Sequence, residues 1–98
     1  MYEIKLTDEF SRWLNTLKDN TTRIRLARRL EKASRGLLGD VKSVGDGVYE
    51  MREHFGSGWR MYYVQHGTIL IIMLSGGDKA AQRKDIELAK AQAIQLEG

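Results

Sequence analysis

Three charged side chains alternate along one short stretch, Glu50, Arg52 and His54, and Arg60 follows a glycine-rich turn. Residues two apart on a strand project from the same face. If the two segments pair, one sheet face carries Glu50, Arg52, His54 and Arg60, and the other is apolar. Arginine presents a planar fork of donors that fits two phosphate oxygens and never loses its charge. Glu50 beside Arg52 is suited to act as a base, and His54, titrating near neutrality, to pass a proton. Lys79 lies in a loop at the far end of the following strand, and such loops reach over a sheet end. Together these residue types point to anion binding with acid–base chemistry, a phosphate above all. The same pattern also fits an exposed antiparallel face with cross-strand ion pairs, each contributing about 0.2–1 kcal/mol.

The elements that must position these residues are legible in outline. Tyr2, Ile4 and Leu6 alternate with Glu3 and Lys5, a short strand. Thr7 is placed to cap a helix whose first turn holds Asp8 and Glu9. Phe10, Trp13, Leu14 and Leu17 then fall on one helical face. Asp19-Asn20-Thr21-Thr22 connects to a second helix that buries Leu26, Leu30, Ala33 and Leu37 and ends at Gly36 or Gly39. Two amphipathic helices so joined make an antiparallel hairpin. Glycines then punctuate strands near Val41–Val44, Val48–Phe55, Trp59–Gln65 and Thr68–Leu74, with tight turns at Gly56-Ser57-Gly58 and His66-Gly67. The last strand is apolar on both faces and reads as central. Gly76-Gly77 is expected to break the sheet. Asp78 caps a final helix to about Leu96, with Ile86, Ala89, Ala93 and Leu96 inward and Leu88 left for a partner. The expectation is a single α+β domain over residues 1–98, in outline β-α-α-β-β-β-α.

Composition bounds the function. The chain has 98 residues, 42% hydrophobic and 30% charged, which fits one globular core. It has no cysteine and two histidines, which fits a reducing cytoplasm and argues against a disulfide scaffold or a structural metal site. The charged start Met1-Tyr2-Glu3-Ile4-Lys5 does not read as a secretory signal, and Ile69–Leu74 is too short to span a bilayer, so no membrane role is expected. A net charge of +3 is a mild bias toward anionic partners.

That charge is unevenly spread. Arg25, Arg28, Arg29, Lys32 and Arg35 fall within one arc of the second helix, opposite its apolar stripe. Glu31 is the sole acid among them. The arc fits an RNA backbone or an acidic protein segment, or an ordinary solvated face. Tyr62 shares the Arg60 face and is the candidate for stacking on a base. Trp59 points the other way, toward the core. Gly76-Gly77-Asp78-Lys79 lacks the spacing of a P-loop.

Val48-Tyr49-Glu50-Met51-Arg52, Gly56-Ser57-Gly58-Trp59-Arg60-Met61-Tyr62-Tyr63 and Ser75-Gly76-Gly77-Asp78-Lys79, followed by Gln82, Lys84-Asp85-Ile86 and Ala89-Lys90, resemble the RelE/HigB superfamily, in particular its branch of phage-derived addiction-module killer proteins. The similarity covers nearly the whole chain. It implies a RelE-like, mostly antiparallel sheet packed against an N-terminal helical hairpin and a C-terminal helix. It implies a type II toxin that enters the ribosomal A site and cuts mRNA with neither metal nor cofactor, the ribose 2′-hydroxyl attacking its adjacent phosphate. Carried across, Glu50 stands where relatives have a lysine or a carboxylate base, and Arg52 where a basic residue is expected. Arg60 matches the arginine that holds the scissile phosphate, and Lys79 falls in a loop with a basic residue near it. His54 aligns less closely, because the turn after it differs in length. Many relatives carry a tyrosine or histidine near the C-terminus as acid or stacking group. The tail after Ala80 has neither, which leaves His54 or Lys79 to substitute. Implied partners are the ribosome, mRNA, a helix-turn-helix antitoxin and, through that complex, operator DNA. The resemblance leaves two alternatives: a ParE-like poison of DNA gyrase, and a degenerate relative that only binds its antitoxin or DNA.

Overall fold

The computed structural model describes residues 1–97. In chain order the elements are β1 (Glu3–Leu6), α1 (Asp8–Thr16), α2 (Asn20–Ser34), β2 (Val41–Gly45), β3 (Val48–Arg52), β4 (Trp59–His66), β5 (Leu70–Asp78) and α3 (Gln82–Glu97). The α+β class and the outline order are those expected, with four strands following the helical pair. The strands form one sheet in the order β1-β5-β4-β3-β2. Every pairing is antiparallel except β1 with β5.

Local chemistry sets these boundaries. The Thr7 hydroxyl oxygen accepts from the Phe10 N–H at 3.2 Å and donates to the Met73 carbonyl at 2.8 Å, so the cap of α1 also ties it to β5. Asp19 caps α2 by accepting from the Thr21 N–H at 3.1 Å. The helix stops at Ser34, with Gly36 beyond it at φ 92°. Leu37 therefore lies outside α2 and is exposed, contrary to the expectation of a core residue. Asp46 and Gly47, both at positive φ, make the tight turn between β2 and β3.

The helices cover opposite faces of the sheet. α1 and α2 close one face over Phe10, Leu26, Leu30, Met51, Met61 and Met73. α3 lies on the other, where Ala89 and Ala93 pack against Val48, Tyr62, Val64 and Leu74. β5 is thus covered on both sides, as its apolar run requires. Leu74 is an extra residue between the Tyr62–Ser75 and Tyr63–Met73 pairs, a bulge that resets the alternation.

Three boundaries differ from the sequence expectation. β3 ends at Arg52, so His54 sits in the turn and not on the strand. β5 runs through Gly76-Gly77 to Asp78 without breaking. A β-carbon at Gly76 would run into the Trp13 ring, and one at Gly77 into the Asp85 carboxylate. These glycines let helices on both faces approach the strand, which is why they stand inside it. Finally, Asp78 caps a single 3-10 turn, Lys79–Ala81, that precedes α3. Leu88 is exposed as expected, but so is Leu96, which was expected inward. Among the described residues no helix is long and apolar enough to cross a membrane.

Candidate active site

Strand register assembles the charged residues. Arg52 lies opposite Arg60, Glu50 opposite Tyr62, and Arg60 in turn opposite Gly77 of β5. The 3-10 turn brings Lys79 back beside the β3–β4 turn. A β-carbon on Gly58 would stand 3.2 Å from Lys79 Cβ and 3.9 Å from Arg60 Nη1, so the bare glycine leaves room for both cations. Three segments thus deliver Arg52, Arg60 and Lys79 to one end of the sheet, on the face that carries α3.

That face is covered, not open as the alternation alone implied. Glu50 is 1% exposed and Arg60 6%. Gln82, in the first turn of α3, donates Nε2 to Glu50 Oε2 at 2.9 Å. Arg60 Nε stands 3.9 Å from Glu50 Oε1, and Arg60 Nη1 reaches the carbonyls of Glu53 at 3.4 Å and Trp59 at 3.3 Å. Tyr62 is fully buried and offers no ring face to a base in this conformation. Burial, followed by the negative charge of Glu50, pushes its hydroxyl well above the ordinary tyrosine range. Among the described residues Glu50 Oε1, Arg60 Nε, the Tyr62 hydroxyl and Ser75 Oγ are buried without a hydrogen-bond partner.

Next to this buried set lies an exposed one. Asp40, just ahead of β2, accepts from Arg52 Nη2 at 3.0 Å through Oδ1 and meets His54 Nε2 at 2.7 Å through Oδ2. These two contacts, the Arg52 hydrogen bond foremost, hold the Asp40 carboxyl down at about 2. The Arg52 guanidinium is raised in turn by its bond to Asp40. Asp40 did not figure among the sequence candidates. The signal for it was the hairpin register: with Val41 opposite Met51, the next residue outward falls opposite Arg52. Gln82 was likewise missed as a partner of Glu50, since nothing in the sequence says where α3 lands. Among the described residues no three of His, Asp and Glu gather to hold a metal ion.

The basic arc of α2 divides. Arg29 turns inward, 9% exposed, and bonds the carbonyls of Leu38, Asp40 and Arg52 together with the Glu53 carboxylate. Its partners make it a brace between α2 and the β2–β3 edge, not a free cation. Arg35 pairs with Glu31 at 2.6 Å on the surface. Arg25 lies over the Phe55 ring at 3.7 Å. Arg25, Arg28, Arg29, Lys32 and Glu53 line a cleft of about 210 Å³. Glu53 joins the two regions: its carboxylate takes Arg29, and its carbonyl takes Arg60.

Comparison with known proteins agrees with this architecture. The chain is 40% identical over 94 residues to an uncharacterized protein of Haemophilus influenzae, covering 96% of this chain and 95% of that one. Its structure superposes on a free-state mutant of the E. coli toxin RelE with a TM-score of 0.71, over 95% of this chain and 97% of that chain, at 18% identity. That likeness is one of fold. Residues 12–93 match the family described as "Phage derived protein Gp49-like (DUF891)". With most of its length inside that match, the chain belongs to the Gp49-like family of phage-derived proteins and has the fold of a RelE-like toxin.

Proposed function

We propose that this protein is the toxin of a type II toxin–antitoxin pair and acts as a metal-independent, ribosome-dependent mRNA endonuclease. The observation that supports the reading is that Arg52, Arg60 and Lys79 stand at one end of the sheet, Arg52 opposite Arg60 in register and glycine at position 58 leaving room between Arg60 and Lys79. In it Arg60 clamps the scissile phosphate, and Arg52 and Lys79 offset the charge that builds on the phosphorane. Glu50 takes the 2′-hydroxyl proton. RNA reaches Glu50 only if the first turn of α3 moves and the Gln82 bond opens. The cleft along α2, with Arg25, Arg28 and Lys32 on its rim, follows the RNA backbone. A cognate antitoxin neutralises the toxin, and the complex binds operator DNA.

The test is induction in cells lacking the antitoxin. Arg60→Ala is expected to lose growth arrest and mRNA cleavage, roughly 10²–10³-fold in rate, in protein that still folds. Lys79→Ala, at an exposed site, gives a second and structurally safer reading. Wild-type toxicity in a folded Arg60→Ala protein removes the catalytic assignment. The burial of Glu50 and Arg60 favours one alternative, a binding-only toxin acting on DNA gyrase. Mapped transcript ends separate the two: codon-phased cuts mean a nuclease, whereas DNA damage with intact mRNA means gyrase.

A further inference from the structure

We propose that Asp40 is a positioning residue of this reaction: its carboxylate, held by Arg52, fixes His54 as general acid for the departing 5′-oxygen. The inference rests on the endonuclease reading above. Its basis is one carboxylate gripping two side chains from neighbouring β3–β4 positions, Arg52 at 3.0 Å and His54 at 2.7 Å. A carboxylate on one imidazole nitrogen orients the ring, which leaves the other nitrogen to face the reacting group. With Nε2 engaged by Asp40, that nitrogen is Nδ1. The His54 side chain is 67% exposed, open to an incoming RNA.

An ordinary surface ion pair would not need the support Asp40 receives. Its carbonyl accepts from the Arg52 N–H at 3.0 Å and from Arg29 Nη2 at 2.9 Å. Arg29 also holds the Leu38 carbonyl, so the buried guanidinium fixes the backbone leading into Asp40. Gly39 adopts φ +71°, and a β-carbon there would press on the Arg29 guanidinium at 3.0 Å. Asp40 is thus an exposed carboxylate on a braced backbone. The charged groups that meet it are Arg52 and His54, and Arg52 faces Glu50 besides. The second histidine, His66, is at the opposite end of β4, and the chain beyond Ala80 contains no tyrosine or histidine. His54 is the imidazole at this end of the sheet.

The step balances without a co-reactant. The 2′-oxygen forms its bond to phosphorus as the P–O5′ bond breaks. The 2′-hydroxyl proton passes to Glu50, and the Nδ1 proton of His54 passes to the 5′-oxygen. The products are a 2′,3′-cyclic phosphate and a 5′-hydroxyl, and Asp40 stays ionised throughout.

The experiment uses ribosomes programmed with mRNA carrying either the natural linkage or sulfur in place of the bridging 5′-oxygen. A thiolate departs without a proton. Asp40→Asn and His54→Gln are expected to slow the natural linkage roughly 10²-fold and to recover most of that loss on the sulfur linkage. Arg60→Ala stays slow on both, and Asp40→Glu recovers part of the natural rate. If Asp40→Asn cuts the natural linkage at the wild-type rate, or is equally slow on both, the inference is overturned while the endonuclease reading stands. Wild-type protein that cuts neither linkage overturns that reading and this inference with it.

Discussion

The two faces of the sheet are built to different ends. Under α1 and α2 the contact is mainly apolar, with Phe10 5.6 Å from Trp13, and Trp13 6.3 Å from Trp59, between ring centroids, and the buried Arg29 there is fully engaged by carbonyls and the Glu53 carboxylate. Gly76 is the shape of the Trp13 ring in negative. Under α3 the apolar contact narrows to Ala89 and Ala93 on Val48, Tyr62, Val64 and Leu74. Beyond it Glu50 and Arg60 are buried as an ion pair at 3.9 Å, and Ser75 Oγ is buried without a hydrogen bond to a protein group. Burying charged groups carries a desolvation cost that their mutual attraction only partly offsets. A face that buries them is not shaped for stability alone, and locally unfavourable choices of this kind concentrate at functional sites. The larger apolar contact lies on one side of the sheet and the buried charged layer on the other.

The largest effect that tests this division is on the apolar side. Phe10 is fully buried, and Phe10→Ala is expected to lower unfolding free energy by about 3–5 kcal/mol in urea titrations. The polar side should respond in the opposite sense. Ser75→Ala removes a buried hydroxyl with no protein partner, and it is expected to leave stability unchanged or to raise it by up to about 1 kcal/mol. Losses comparable to Phe10→Ala at Ser75 would mean that the polar layer is a working part of the core, and the contrast between faces would fail.

The same contrast explains what the sequence disclosed. The cap at Thr7, the connection Asp19-Asn20-Thr21-Thr22 and the stripe Phe10, Trp13, Leu14 were legible because side-chain chemistry and 3.6-residue periodicity are local. Alternation correctly put Glu50, Arg52 and Arg60 on one face of paired strands. It was silent on what covers that face, since the α3 stripe of Ile86, Ala89 and Ala93 does not say where the helix docks. Gly76-Gly77 was read as punctuation because glycine pairs usually mark turns, whereas here they admit Trp13 and Asp85. Arg28 and Arg29 are neighbours in one basic arc, and only tertiary structure turns Arg29 inward onto three carbonyls. Asp40 required the hairpin register, which depends on the Asp46-Gly47 turn.

The smallest expected effect probes the electrostatics of the α3 face. Asp85 sits in the first turn of α3, where the helix dipole favours a negative charge. It also lies against Gly77, and burial, then the nearby charge of Asp78, raises its carboxyl above the usual value, with Lys84 opposing. The raised value means that the folded chain holds the protonated form more readily than the unfolded chain does. Below the unfolded value both states are protonated and Asp85 carries no penalty. As pH rises through the folded value, the folded state must ionise a half-buried group, and stability falls. Asp85→Asn should therefore unfold at a slightly higher temperature than wild type at neutral pH, and the difference should vanish in acid. A difference that is flat with pH would mean that dipole and burial cancel, and a variant weaker at neutral pH would mean that the dipole outweighs burial. The first turn of α3 would then be held on the sheet by its charge, and the opening of the Gln82–Glu50 bond that the proposed endonuclease reaction requires would be opposed there.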